Sequence, residues 1–295
     1  MVCFHSDPTL SALVYTPNDM LQDTCANFAS CYAFSELNGE EEKEDEDENT
    51  ENEVEDLNNK RVVLAGLCKL FSYGIFEMRL ATVLFSRIIS AFGNFGDLIK
   101  QTMSKCREIN INYYTKTIAL TLFSEYEKLR EVGNGPVDKS SEEYTALKEL
   151  ARRLALTYGI ELTKEPIRKA MINLHREAIL RSFSRDDEQE NEQDNAETEI
   201  ALPNIGFLAV ISECSSRLIS QDKKTVLGIL KKQMEDIKLN IKDAGRDPEL
   251  QPLVSYYRVM LEGSQLSSAK TTKLRPAPQK AKRKLDVDGR FQKNM

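Results

Sequence analysis

The chain contains no tryptophan, and among 295 residues only two histidines, His5 and His175. A site built from several imidazoles is therefore excluded within this sequence. The six cysteines are Cys3, Cys25, Cys31, Cys68, Cys106 and Cys214, and none forms a CxxC pair. Neither a zinc spacing nor a disulfide framework is present. Cys68 and Cys106 fall inside helical patterns and read as small buried hydrophobes, and reduced thiols suit a cytosolic or nuclear protein. No run reaches the ~18 uninterrupted apolar residues of a membrane span. The opening MVCFHSDPTL lacks the basic and apolar regions of a secretory signal. The phosphate-loop, dinucleotide, zinc-protease and serine-elbow motifs are also missing. Carboxylates abound, but they concentrate in low-complexity runs, which are solvated and cannot hold a preorganised acid–base pair. His175 lies mid-helix, one position past Leu174, where packing is the simpler role. The chain reads as non-enzymatic, with no metal and no cofactor.

Charge is plentiful but segregated. Glu40 to Asp56 holds twelve acids and one lysine, Asp186 to Glu199 eight acids and no base, and Gln265 to Met295 nine bases and two acids. These stretches carry −11, −8 and +7, which leaves +5 of the total −7 for everything else. The helical remainder is mildly basic despite a sequence pI near 5.2. Binding to nucleic acid follows local patches, so an acidic total does not exclude it.

What is abundant is helical periodicity. Tyr144, Leu147, Leu150, Leu154 and Tyr158 form one apolar stripe, and Ile167, Met171, Leu174 and Ala178 form another. Gly159 ends the first helix, and Pro166 fits the first turn of the second. Ser140 to Glu143 reads as a capping signal. Asn18 or Asp19 starts a helix to about Phe34, with Met20, Leu21, Cys25, Phe28 and Tyr32 on its apolar side. Further helices are predicted over 58–72 with a turn at Gly74, 76–92 with turns at Gly93 and Gly96, 97–108 opened by Asp97, and 112–132. Pro203 opens a helix to Ile219. Asp222 caps another, with Val226, Leu230, Met234, Ile237 and Ile241 as its stripe, and Pro248 begins a last one to Leu261. No strand is predicted. A helix roughly every 20 residues gives a hairpin period near 40, inside the HEAT range. The expected fold class is an all-α, HEAT-like solenoid of antiparallel helix hairpins with acidic loops and a disordered basic tail. Its organisation is an N-terminal helix of a truncated solenoid (1–39), an acidic disordered loop (40–57), HEAT-like helices (58–183), a second acidic loop (184–202), C-terminal HEAT-like helices (203–263) and the tail (264–295).

The string ELARRLALTYG, followed by LHREAI, resembles the C-terminal HEAT-repeat region of the stromalin (SA or STAG) subunits of cohesin. Three further stretches agree in the same order: KRVVLAGLCKLFSYGIFEM from Lys60, GDLIKQTMSKCREI from Gly96, and GFLAVISECSSRLISQDKKTV from Gly206. The similarity extends more weakly from about Ala12 to Leu261, over the C-terminal portion of that architecture only. The long N-terminal arm and its regulator-binding surfaces are not carried over.

The resemblance implies docking on the kleisin subunit of cohesin, and through it on the SMC subunits. It also implies sequence-independent DNA and chromatin contact, with roles in sister-chromatid cohesion and chromosome segregation in the nucleus. The divergent ININYY (Ile109 to Tyr114) and the second acidic loop fit a meiotic paralogue as well as a mitotic one. For DNA the candidates are bases off the apolar stripes: Lys148, Arg152, Arg153, Lys164 and Arg168, then Lys223, Lys224, Lys231 and Lys232. Each equally suits an ordinary solvated helix face. In the tail, Lys280, Lys282, Arg283 and Lys284 read as a nuclear-localisation signal or a phosphate-binding patch, against a merely soluble tail. The acidic runs are solvated linkers on one reading and contacts for a basic partner on the other. The alternative for the whole chain is a cytoplasmic helical-repeat adaptor without DNA contact. No membrane and no small-molecule substrate is expected.

Overall fold

The computed structural model describes residues 16–35, 50–133, 137–184 and 202–270. They form an all-α helical-repeat solenoid, with no strand among the described residues. In order the helices are α1 (Asp19–Phe34), α2 (Thr50–Ser72), α3 (Thr82–Phe85), α4 (Phe92–Ile109), α5 (Ile111–Val132), α6 (Glu142–Leu156), α7 (Glu165–Ser182), α8 (Phe207–Ile211), α9 (Ser220–Asp236), α10 (Ile241–Ala244) and α11 (Gln251–Lys270). One 3₁₀ turn, Met78–Ala81, leads into α3, and another, Ser212–Arg217, follows α8. The long helices stack as a relay: α1 on α2, α2 on α4, α4 on α5, α5 on α7, α7 on α9 and α9 on α11. Each buries its apolar stripe mainly against its neighbours in the stack, which is the energetic logic of a repeat array.

Local chemistry sets several boundaries. Asn18 caps α1 by accepting from Leu21 N at 2.8 Å, Asn110 caps α5, and Ser141 caps α6 by accepting from Tyr144 N at 3.1 Å. These bonds satisfy amide donors that a helix start leaves open. Gly74 and Gly159 carry positive φ (66° and 90°), conformations in which a side chain would be strained. Pro166 occupies the first turn of α7. The stripes expected for α6 and α7 face inward: Tyr144, Leu147, Leu150, Leu154 and Tyr158 are buried, as are Met171, Leu174 and Ala178. Val226, Leu230 and Met234 of α9 are buried as well, but the expected stripe stops there: Ile237 caps the end of α9 and Ile241 starts α10, both only partly buried.

Five expectations are corrected. α1 turns its small face inward: Ala26, Ala29 and Ala33 are buried, while Met20 and Phe28 are 80% and 66% exposed. Alanines let α1 lie close on α2, and the buried Gln22 ties it down, accepting from Glu77 N at 2.7 Å and donating to the Pro17 carbonyl at 3.0 Å. α2 starts at Thr50 rather than Asn58, because carboxylates suit the first turns of a helix and Lys60 reaches back to Asp56 at 2.7 Å. Residues 40–49 of the expected acidic loop lie outside the described residues. α4 runs straight through Gly93 and Gly96, so Asp97 does not open a helix; it sits inside one and binds Arg61 at 2.6 Å. The segments expected as long helices over 76–92 and 203–219 are broken into short α and 3₁₀ turns. At the far end α11 extends to Lys270, past the expected boundary at 263, and residues 271–295 lie outside the described residues.

Three buried cysteines, Cys68, Cys106 and Cys214, behave as core residues. Desolvation pushes the Cys106 and Cys214 thiols up to about 12, so they stay protonated at neutral pH. His175 is fully buried on α7, its Nδ1 2.7 Å from the Tyr256 hydroxyl of α11. Burial lowers its pKa to about 3, the Cys214 backbone opposes that shift, and the charge of Lys223 adds to it. The imidazole is thus neutral in the folded chain but titrates normally when unfolded. Because the unfolded state binds the extra proton, stability is full above about pH 6.5 and falls as the pH drops toward 3. Between pH 7 and pH 5 this group alone is expected to cost about 2 kcal/mol. Urea unfolding at both pH values should show that loss in the native chain and a smaller one in His175→Gln, which can bond Tyr256 but cannot titrate.

Candidate binding surfaces

The bases singled out from sequence fall into two groups by their partners. Lys148 and Arg152, one turn apart on α6, both reach Glu213 in the 3₁₀ turn after α8, each at 2.9 Å. Arg152 also meets Glu149 at 3.4 Å, and its pKa is raised by the hydrogen bond to Glu213, then by that carboxylate's charge. Arg168 of α7 binds Asp222 of α9 through two nitrogens, at 2.7 Å and 3.1 Å, and touches Gln221. The Asp222 side chain is only 3% exposed. A fork-shaped guanidinium on a buried carboxylate is a strong, directional contact. Asp222, expected as a helix cap, therefore lies within the first turns of α9 and clips it to α7.

The second group keeps more of its charge toward solvent. Arg153 uses Nε on Glu149 at 3.1 Å, and Lys164 pairs with the exposed Glu161 beside it. Exposed i,i+3 and i,i+4 pairs of this kind contribute little and compete poorly with another partner. Along α9, Lys231 stands over the Tyr257 ring at 5.8 Å, and Lys223 lies across Gly263, where a Cβ would collide with it. Lys224 and Lys232, two turns apart, are exposed and hold no ion pair among the described residues. Lys280, Lys282, Arg283 and Lys284 lie outside the described residues.

A third feature was not legible beforehand. Between the turn preceding α4, α4 itself and the end of α6 lies a cavity of about 560 Å³. Ile89, Phe92, Met103 and Leu156 make its apolar wall, and Lys100, Arg107 and Arg153 stand around it. Arg107 also lines a second hollow of about 520 Å³, where Ile109, Ile111 and Ile167 supply the apolar surface.

A stack of helix hairpins with charged clips and open apolar hollows defines a binding scaffold of the helical-repeat class. The family description STAG protein C-terminal domain matches residues 112–264. The chain belongs to that family, the stromalins. It is 33% identical over 255 residues to cohesin subunit SA-1 of Xenopus laevis, covering 86% of this chain and 19% of the relative. It is 31% identical over 232 residues to cohesin subunit SA-3 of Homo sapiens (77% and 18%) and 29% over 223 residues to cohesin subunit scc-3 of Caenorhabditis elegans (76% and 19%). The chain spans about a fifth of the length of the curated relatives it matches.

The Arg168–Asp222 clip makes an asymmetric mutational prediction. Arg168→Ala leaves a buried carboxylate unpaired, whereas Asp222→Ala leaves a guanidinium that can turn to water. Thermal unfolding should show the larger drop in Tm for Arg168→Ala, by several degrees. The double change Arg168→Met with Asp222→Leu should recover much of the loss, because an apolar pair of similar volume carries no desolvation cost.

Proposed function

We propose that this chain is a non-enzymatic, cohesin-type subunit segment: a rigid helical scaffold that docks a kleisin and, through it, associates with the SMC subunits on chromatin. Its role is then in sister-chromatid cohesion and chromosome segregation, in the nucleus, in a mitotic or a meiotic setting. The observation that carries this reading is the extent of the match: cohesin subunits align over 76–86% of the chain, far more than one motif. A continuous stack offers the long surface that an extended partner needs. The direct test is co-expression with a kleisin fragment. Co-purification through gel filtration is expected, and a kleisin that elutes apart from the intact chain removes the docking role.

DNA contact is the finer part of the proposal. It rests on Lys224, Lys231 and Lys232 along α9, with Arg153 and Lys164, whose charge is least committed within the fold. Lys223 lies beside them, and Lys280, Lys282, Arg283 and Lys284 add a nuclear-import or phosphate-binding segment. A specific observation favours the second reading, a helical-repeat adaptor without DNA contact: Lys148, Arg152 and Arg168 are engaged by Glu213 and Asp222. Salt dependence separates the two. Each neutralised phosphate contributes about 0.9 to the slope of log affinity against log salt. In the full chain with the four tail bases changed to Ala, four or five contacts give a slope of roughly −4. Charge reversal at Lys224, Lys231 and Lys232 should flatten that slope by about 2 to 3 units, equally for unrelated duplex sequences. A slope near zero before any reversal leaves the adaptor reading.

A further inference from the structure

The two hollows share Arg107, and their apolar walls are unused by every role described so far. Their apolar residues are exposed in ways that the core does not require: Ile89 is 40%, Phe92 49%, Ile109 55% and Leu156 57% open to solvent. Scattered exposed apolar residues are ordinary, but several around one concavity mark a binding site.

One wall is held in place by its own helix. Phe92, Gly96 and Lys100 lie four residues apart on one face of α4. A Cβ on Gly96 would come within 3.0 Å of the Phe92 ring, so glycine lets the ring lie flat along the helix. The Lys100 ammonium sits over that ring, 4.3 Å from its centroid, a cation–π distance. The wall is therefore ordered before any partner arrives, which lowers the entropy cost of binding.

The charge around the first hollow has one sign. Lys100, Arg107 and Arg153 border the first hollow, and no carboxylate lines it among the described residues. Lys100 and Arg107 hold no ion pair among the described residues, and Arg107 makes only a long contact of 3.5 Å to Ser104. The second hollow has Glu108 on its edge, engaged by Lys105 at 2.9 Å. Arg107 thus lines both apolar pockets, with no ion pair among the described residues although its charge is felt by Glu108.

We infer that this double hollow docks an extended acidic segment of a partner protein, with a carboxylate on Arg107 and a bulky apolar residue on each side of it. Charge complementarity selects the acidic residues. The apolar walls select the flanking anchors, and a phosphate backbone has nothing to place against Ile89, Phe92 and Leu156. Two pockets that share Arg107 in their linings suit an extended chain that can place one anchor in each. The occupant is defined by this chemistry alone, so the inference does not stand or fall with kleisin docking.

The test is selection of a random dodecapeptide display library on the full-length chain, followed by anisotropy with the selected peptides. Enrichment of an Asp or Glu flanked by Leu, Ile, Phe or Met is expected. Arg107→Glu and Leu156→Glu should each weaken binding by about tenfold or more, whereas Arg107→Lys should weaken it less. Leu156 is exposed, so its variant keeps the fold, as an unchanged Tm will verify. Selected peptides without that pattern, no enrichment at all, or affinities indifferent to both reversals overturn the inference. So does a duplex DNA probe that binds the native chain, loses affinity in Arg107→Glu and is unaffected by Leu156→Glu, because the site would then read phosphate.

Discussion

Two phenols with essentially no exposure, Tyr114 and Tyr158, must each find a hydrogen-bond partner, and that requirement fixes how α5 and α6 meet. A buried hydroxyl left unpaired costs more than the bond returns. Tyr114 of α5 reaches Thr157 at the end of α6 at 2.6 Å, and Tyr158 just past α6 reaches back to Thr115 of α5 at 3.0 Å. The pair is reciprocal, so neither helix can slide along the other without orphaning two hydroxyls. Thr115 in turn donates to the Ile111 carbonyl at 2.7 Å, so the buried hydroxyl is satisfied on both sides. The rings continue the same contact: Phe85 meets Tyr114 edge-on at 5.8 Å, and Tyr114 meets Tyr158 at 5.5 Å. α5 is the helix on which α4, α6 and α7 all pack, so an error here would propagate along the stack.

From that centre outward the interactions become cheaper to change. Toward α9 the ties are ionic: Glu213 gathers Lys148 and Arg152, and Asp222 holds Arg168. Toward α1 they are amide bonds from Gln22 and a face of alanines. The surface role of a base and its structural role are therefore not independent. A guanidinium locked onto a buried carboxylate gives up much of the field that would draw a phosphate. Of the bases singled out from sequence, those that remain for solvent are on α9 and at the ends of α6 and α7.

The fold was legible where the sequence pattern is strong and local. The stripes of α6, α7 and α9, the caps at Asn18 and Ser141, and the turns at Gly74 and Gly159 follow from residue types a few positions apart. What failed was context. Met20 and Phe28 are more apolar than Ala26 and Ala29, yet close packing on α2 selected the small face. Gly93 and Gly96 read as a turn because glycine costs about 1 kcal/mol in a helix, but Phe92 and its neighbours hold α4 through them. The site was legible in part: the bases off the stripes were correctly placed outside the apolar core. The acids that clip Lys148, Arg152 and Arg168 across the stack, Glu213 and Asp222, lie 54 to 65 residues away, a distance that no local pattern spans.

The hollow around Arg107 was invisible to sequence for a related reason. Its residues come from α4, α6 and the turn before α4, and each reads alone as core or as solvated charge. Ile89, Phe92 and Leu156 fit neither class once placed: too apolar for a solvated face, too open for a core. A helical stack creates such positions wherever a helix is broken, because the break withdraws one ridge from its groove. Here the break is the short α3 and the turn after it, and Ile88 and Ile89 of that turn line the hollow. The irregularity that defeated the helix expectation thus supplies one side of the hollow, and the glycine that misread as a turn seats its aromatic wall.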